Sequence, residues 1–96
     1  MIVHIVMFKF KDENKASNIK LVKEKLNELV LKIDELQSIE VGVDFSQSER
    51  AFDLSLYSRF DSKEALNAYA IDKEHLKVVS LIKEVTSESK VVDYEI

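Results

Sequence analysis

Residues 2–10 read Ile2-Val3-His4-Ile5-Val6-Met7-Phe8-Lys9-Phe10, a run of mostly β-branched and aromatic side chains around a single histidine. Side chains alternate between the two faces of a strand. His4, Val6, Phe8 and Phe10 therefore share one face. Val3, Ile5 and Met7 share the other, with Lys9 at its end. No other segment is apolar on both faces, so this one is read as a central strand that needs cover on both sides.

The rest of the chain supplies cover for one side. From Asn18 to about Leu36 the apolar period is helical. Ile19, Val22, Leu26, Leu29, Val30, Ile33 and Leu36 fall within an arc of about 120° at the helical pitch, with Asn14 or Ser17 as the candidate cap. Ser38 to Ser46 alternates again, placing Ile39, Val41, Val43 and Phe45 on one face. Gly42, the only glycine, suggests a bulge or a close backbone approach there. Gln47 to Arg50 reads as a turn. Ala51 to Phe60 reads as a strand with Phe52, Leu54, Leu56 and Phe60 on its inner face. A helix starts at Asp61-Ser62-Lys63-Glu64 and presents Ala65, Leu66 and Tyr69 inward. Asp72 caps a second helix, whose stripe is His75, Val78, Val79, Ile82 and Val85. Lys90 to Ile96 closes the chain as a strand.

Strand, helix, strand, strand, broken helix, strand is the ferredoxin-like order. The expected fold is α+β: a four-stranded antiparallel sheet, first and third strands central, helices on one face. Residues 1–96 are expected to form one domain. The face carrying Val3, Ile5 and Met7 is left bare, and a second copy packed sheet to sheet is the simplest cover, giving a homodimer or a larger assembly of dimers.

Composition narrows the function classes. The chain has 96 residues, 46% hydrophobic and 33% charged, with net charge −4 and no cysteine. This is a globular balance without disulfide or thiolate chemistry. The longest apolar run is far short of the ~20 residues of a membrane span, and no secretion signal is visible, so no membrane partner and a cytoplasmic location are expected. Lysines are partnered by acids, as Lys32 is by Glu28, at a favourable helical spacing. No basic stripe exists, and the third strand lacks the basic-glycine-aromatic pattern of an RNA-binding sheet, so no nucleic-acid partner is expected. His4, His75 and the carboxylates show no metal-ligand spacing, and no motif calls for haem or another cofactor.

The stretches HIVMFKFK (4–11), VGVDFS (41–46), FDLSLYSRFDSKEALNAY (52–69), the histidine of EHLKVV (74–79) and VVDYEI (91–96) together resemble the stress-responsive dimeric A/B barrel domain almost end to end. That resemblance implies a ferredoxin-like protomer and a homodimer whose two sheets form a barrel. The family includes heat-stable plant stress proteins that assemble further and a plant polyketide cyclase that closes a linear tetraketide by aldol condensation. The cyclase's tyrosine and histidine fall on Tyr69 and His75, and a further pocket histidine falls on His4. A second-shell tyrosine falls instead on Leu26, another histidine on Leu54, and the His-Pro of many members on Asp72-Lys73.

The residues themselves allow such a pair. On one continuous helix Tyr69 and His75 would stand about 120° apart; they converge only if the helix breaks, and Asp72 supplies the break. It also sets His75 in the first turn of the new helix, where the dipole disfavours imidazolium. A neutral imidazole is the form a general base needs, and Tyr69 would donate to a carbonyl oxygen. The expected pocket has His4, Val6 and Phe8 as floor and Val22, Leu26, Tyr69 and His75 as walls, sized for a small apolar ligand with a carbonyl or phenol group. The competing reading is structural: two inward histidines, one bonded to a tyrosine hydroxyl, in a core that Phe8 and Leu26 are bulky enough to fill. It is preferred, which makes the protein a binding or stress-protection dimer first and a cofactor-free lyase or cyclase second.

Overall fold

The computed structural model describes all residues, Met1–Ile96. The elements are β1 (Ile2–Phe10), α1 (Lys15–Lys32), β2 (Ser38–Val43), β3 (Leu54–Phe60), α2 (Lys63–Ile71), α3 (Lys73–Val85) and β4 (Thr86–Glu95). The strands form one antiparallel sheet in the order β2-β3-β1-β4. This is the ferredoxin-like arrangement expected, with β1 and β3 central.

Register makes the two faces unequal. His4 pairs with Ser58 and Asp93, Val6 with Leu56 and Val91, and Phe8 with Leu54. These rows face the helices, and Phe8, Leu54, Leu56 and Phe60 join Val22, Leu26, Leu29, Tyr69, Val78 and Ile82 in the core. The opposite rows are Val3 with Arg59 and Tyr94, Ile5 with Tyr57 and Val92, and Met7 with Ser55 and Lys90. No helix lies over them. Met7, Val92 and Tyr94 are exposed there, and Ile5 is half-buried. Val3 departs from the expected bare row: it is 0% exposed within the protomer. Its register partners on that face are Arg59 and Tyr94.

Several boundaries differ from the sequence expectation. α1 runs Lys15–Lys32 rather than from Asn18 to Leu36. Ile33 and Leu36 are still buried, because the chain leaving the helix keeps to the same side of the sheet. Val30, expected inward, is exposed. Asn14 holds the cap position in the left-handed region with φ 53° and makes no side-chain cap bond; Asn is one of the few residues that tolerates this. β2 stops at Val43, and Phe45 is 96% exposed. Gly42 is neither bulged nor closely approached: it lies in register with Ser55, its φ is not positive, and a Cβ there would meet nothing within 4 Å. β4 begins at Thr86, directly after α3, not at Lys90.

The one irregularity in the sheet is at Lys9/Phe10, where the β1–β4 register shifts. On the other side of β1, Asp53, just before β3, continues the hydrogen bonding beyond the end of the β1–β3 ladder. Its carboxylate accepts from the Phe10 amide (2.7 Å) and pairs with Lys15 (3.3 Å), while its own amide donates to the Phe8 carbonyl (2.9 Å). Asp53→Ala leaves a partly buried amide without an acceptor and is expected to cost about 1–3 kcal/mol, read as a lower denaturant midpoint with unchanged slope.

Candidate functional site

Tyr69 sits in the last turns of α2, on its buried face. The helix ends at Asp72, whose backbone is extended (φ −64°, ψ 139°) and whose carboxylate accepts from the Glu74 amide at 2.8 Å, opening α3. The expected break is therefore real, and it is what folds His75 back onto Tyr69. Their ring centroids are 4.2 Å apart with a 38° interplanar angle. His4 reaches the other side of Tyr69 from β1, 6.5 Å away and edge-on. Phe60 backs the tyrosine at 5.0 Å. Tyr69, His75 and His4 are thus brought together on the helix-facing side of the sheet.

Their hydrogen bonds differ from the expected pair. The rings of Tyr69 and His75 stack; the tyrosine hydroxyl is buried and has no partner. Burial pushes its pKa from 10.0 to about 12, so it is a donor at any physiological pH. His75 Nδ1 lies 3.1 Å from the Ala70 carbonyl. Protonated there, it donates to that oxygen and leaves Nε2 as the acceptor. Burial is the largest cause lowering the His75 pKa. The Ala70 bond raises it, the charge of His4 lowers it further, and Asp72 raises it. The shift has the expected direction, and its largest cause is burial rather than the helix end.

Asp93, which sequence reasoning missed, bonds His4: its Oδ1 meets His4 Nδ1. That contact holds the orientation of the His4 ring on β1 against β4. The only signal for it is parity, since Asp93 falls on the His4 face once the β1–β4 register is known.

The expected pocket is largely filled. Phe8, Val22 and Leu26 are 6%, 0% and 1% exposed and belong to the core. They pack under the site and do not line open space. Val6 is half-buried and its register partner Val91 exposed, while Tyr69 itself is 1% exposed. A concavity of about 680 Å³ lies elsewhere, between the β2–β3 connection and the start of α1, bordered by Lys9, Lys15, Asp44 and Asp53. No group of three or more His, Cys, Asp or Glu side chains is disposed to hold a metal ion, and no helix is long and apolar enough to cross a membrane.

Two measurements check this geometry. Tyr69→Phe removes a buried hydroxyl that bonds to nothing, and should raise the unfolding free energy by about 1 kcal/mol; a loss instead would reveal a partner for that hydroxyl. His75 titrates below its ordinary 6.5 when folded, so the unfolded chain binds more protons just below that pH. Stability should therefore be full above about pH 6.5 and fall as pH drops below it. The difference between wild type and His75→Phe in a pH series of unfolding curves isolates the effect.

Comparison with known proteins agrees with the fold and with the resemblance in sequence. The family model described as "Stress responsive A/B Barrel Domain" matches residues 2–96. The Arabidopsis thaliana stress-response A/B barrel domain-containing protein DABB1 is 32% identical over 103 aligned positions, covering 98% of this chain and 46% of its own length. The chain thus spans about half of that relative. A solved dimeric protein of unknown function with a ferredoxin-like fold, from Bacteroides fragilis, superimposes with TM-score 0.83 at 30% identity, covering 99% of this chain and 95% of that one. Hydroxynitrile lyase from Passiflora edulis shares the fold at TM-score 0.88 and 19% identity, covering 99% and 92%. By sequence and by architecture, this chain belongs to the stress-responsive A/B barrel domain family.

Proposed function

We propose that residues 1–96 act as one domain that works as a homodimer, pairing the bare faces of two sheets, and that its role is binding or stress protection rather than catalysis. The observation that carries the reading is the row left without cover. Met7 is 41%, Val92 53% and Tyr94 42% exposed on one face of a four-stranded sheet, beside half-buried Ile5. Contiguous apolar surface of this kind marks an interaction site. The protomer is a slab of 35 × 26 × 17 Å, and its broad side is large enough for the roughly 800 Å² per partner of a stable interface. The Bacteroides fragilis relative, described as dimeric, supports the same reading. Val3 contributes as a packed floor; Ile5, Met7, Val92 and Tyr94 meet the second copy.

The absence of catalysis rests on the filled site. Phe8, Val22 and Leu26 close the space a substrate would need, and Tyr69 is itself buried. A second reading draws on the unpartnered Tyr69 hydroxyl beside a neutral imidazole. In it, the protein is a cofactor-free lyase or cyclase. His75 Nε2 takes the proton next to a carbonyl, and Tyr69 donates to the carbonyl oxygen as charge develops. His4, held by Asp93, orients the same small carbonyl or phenolic ligand.

Sedimentation at micromolar concentration tests the first reading: wild type should run as a dimer and Met7→Asp as a folded monomer. A wild-type monomer would remove the proposed assembly. For the second reading, turnover of a small β-polyketone should disappear in His75→Ala; turnover that survives the substitution removes His75 as the base.

A further inference from the structure

The concavity of about 680 Å³ between the β2–β3 connection and the start of α1 lies apart from the Tyr69–His75 pair and from the exposed row of Met7, Val92 and Tyr94. It falls within the size range of small-ligand sites. Ala16, Ile19, Val43 and Ala51 give it an apolar surface, and Ile19 is packed against the core. Hydrogen bonds hold the walls. Asp53 accepts from the Phe10 amide and pairs with Lys15, and its carbonyl accepts from the Asp44 amide at 2.9 Å. The Asp44 carboxylate accepts in turn from the Ser46 hydroxyl at 3.1 Å and the Gln47 amide at 2.8 Å. That last bond keeps Gln47 in the left-handed region, at φ 49°. Residues other than glycine held in this region gather at ligand clamps.

Charge decides what such a site would take. Lys9, Lys15, Asp44, Glu49 and Asp53 border it. Lys15 and Asp53 neutralise each other, and Asp44 is occupied by its own loop. Lys9 and Glu49 remain, and neither has an ion-pair partner. The Lys9 ammonium stands only over the Phe52 ring, 5.3 Å from its centroid. A phosphate or other plain anion would meet Glu49 and a chain of net charge −4. A plain cation would meet Lys9. A spare charge of each sign beside an apolar surface suits a ligand that carries both.

We propose that this concavity binds a small zwitterion with an apolar side chain, a free amino acid or a short peptide, with its carboxylate at Lys9 and Lys15 and its ammonium at Glu49. The apolar group rests on Ile19 and Val43. The first turn of α1 borders the site through Lys15 and Ala16 and carries no acidic residue, so its positive end favours the carboxylate on the same side. The inference gives the binding role proposed above a ligand class; the homodimer does not enter into it.

The test is an NMR titration of the folded protein with leucine, leucyl-leucine, N-acetyl-leucine and leucinamide. Leucine or leucyl-leucine should move the amide signals of Ala16, Ile19 and Ala51 saturably at millimolar concentration, and the tighter of the two tells a free amino acid from a peptide. Blocking either charge should weaken binding about fivefold or more, the worth of one charge pair in partial contact with water. Glu49→Gln alters an exposed side chain that bonds to nothing. It should abolish the discrimination against N-acetyl-leucine and keep that against leucinamide; Lys9→Gln should do the reverse. Unmoved amide signals with both unblocked probes, or equal binding of blocked and unblocked forms, overturn the site. So does discrimination that survives unchanged in Glu49→Gln, a result that stands even if Lys9→Gln fails to fold. Each of these outcomes leaves the sedimentation test of the dimer untouched.

Discussion

Helices cover this sheet from one side only, and the rest of the molecule follows from that constraint. β1 is apolar on both faces, so alternation sends Phe8 and Phe10 toward α1 and α3 and Ile5 and Met7 away from them. The core is accordingly single and one-sided: every member of the main apolar cluster belongs to the helices, their flanks or the helix-facing rows of the strands. On the far side Val3 alone is fully buried, in register with Arg59 and Tyr94. A small domain buries a modest fraction of its surface, and an apolar sheet face left to water is a large part of what remains to be gained by assembly.

The break at Asp72 does for the site what one-sided cover does for the fold. A continuous helix would separate Tyr69 from His75; the Asp72 cap turns the chain so that the two rings stack. The result has local costs. A phenolic hydroxyl is buried without a partner, and burial lowers the pKa of an imidazole. Unsatisfied buried groups are uncommon and attract a functional explanation. Here Phe8, Val22 and Leu26 close the space beneath. Those side chains give the protein a well-packed core and leave Tyr69 enclosed.

Much of this was legible in the chain itself. Val78 and Ile82 announce the buried face of α3, Asp72 announces the break, and the order of elements fixes which strands are central. Tyr69, His75 and His4 were gathered by the same logic. Other features needed three dimensions. Phe45 continues the alternation of β2, but the strand ends at Val43, so periodicity ran past the structure. Ile33 and Leu36 stay buried after α1 has ended, which makes the helix look longer than it is. Thr86 to Ser89 carry no apolar pattern and join β4 only because β1 offers hydrogen bonds. Asp93 could be matched to His4 only through register, and Val3 is buried within the protomer although its row is bare.

The central claim is that the folded protomer is completed by a second copy across its bare sheet. The most direct measurement is the thermal midpoint as a function of protein concentration. Unfolding coupled to dissociation makes that midpoint rise steadily with concentration, and this account predicts such a rise from sub-micromolar to hundreds of micromolar. A midpoint that stays constant across that range, with reversible two-state unfolding, would show a protomer that needs no partner and would contradict the account.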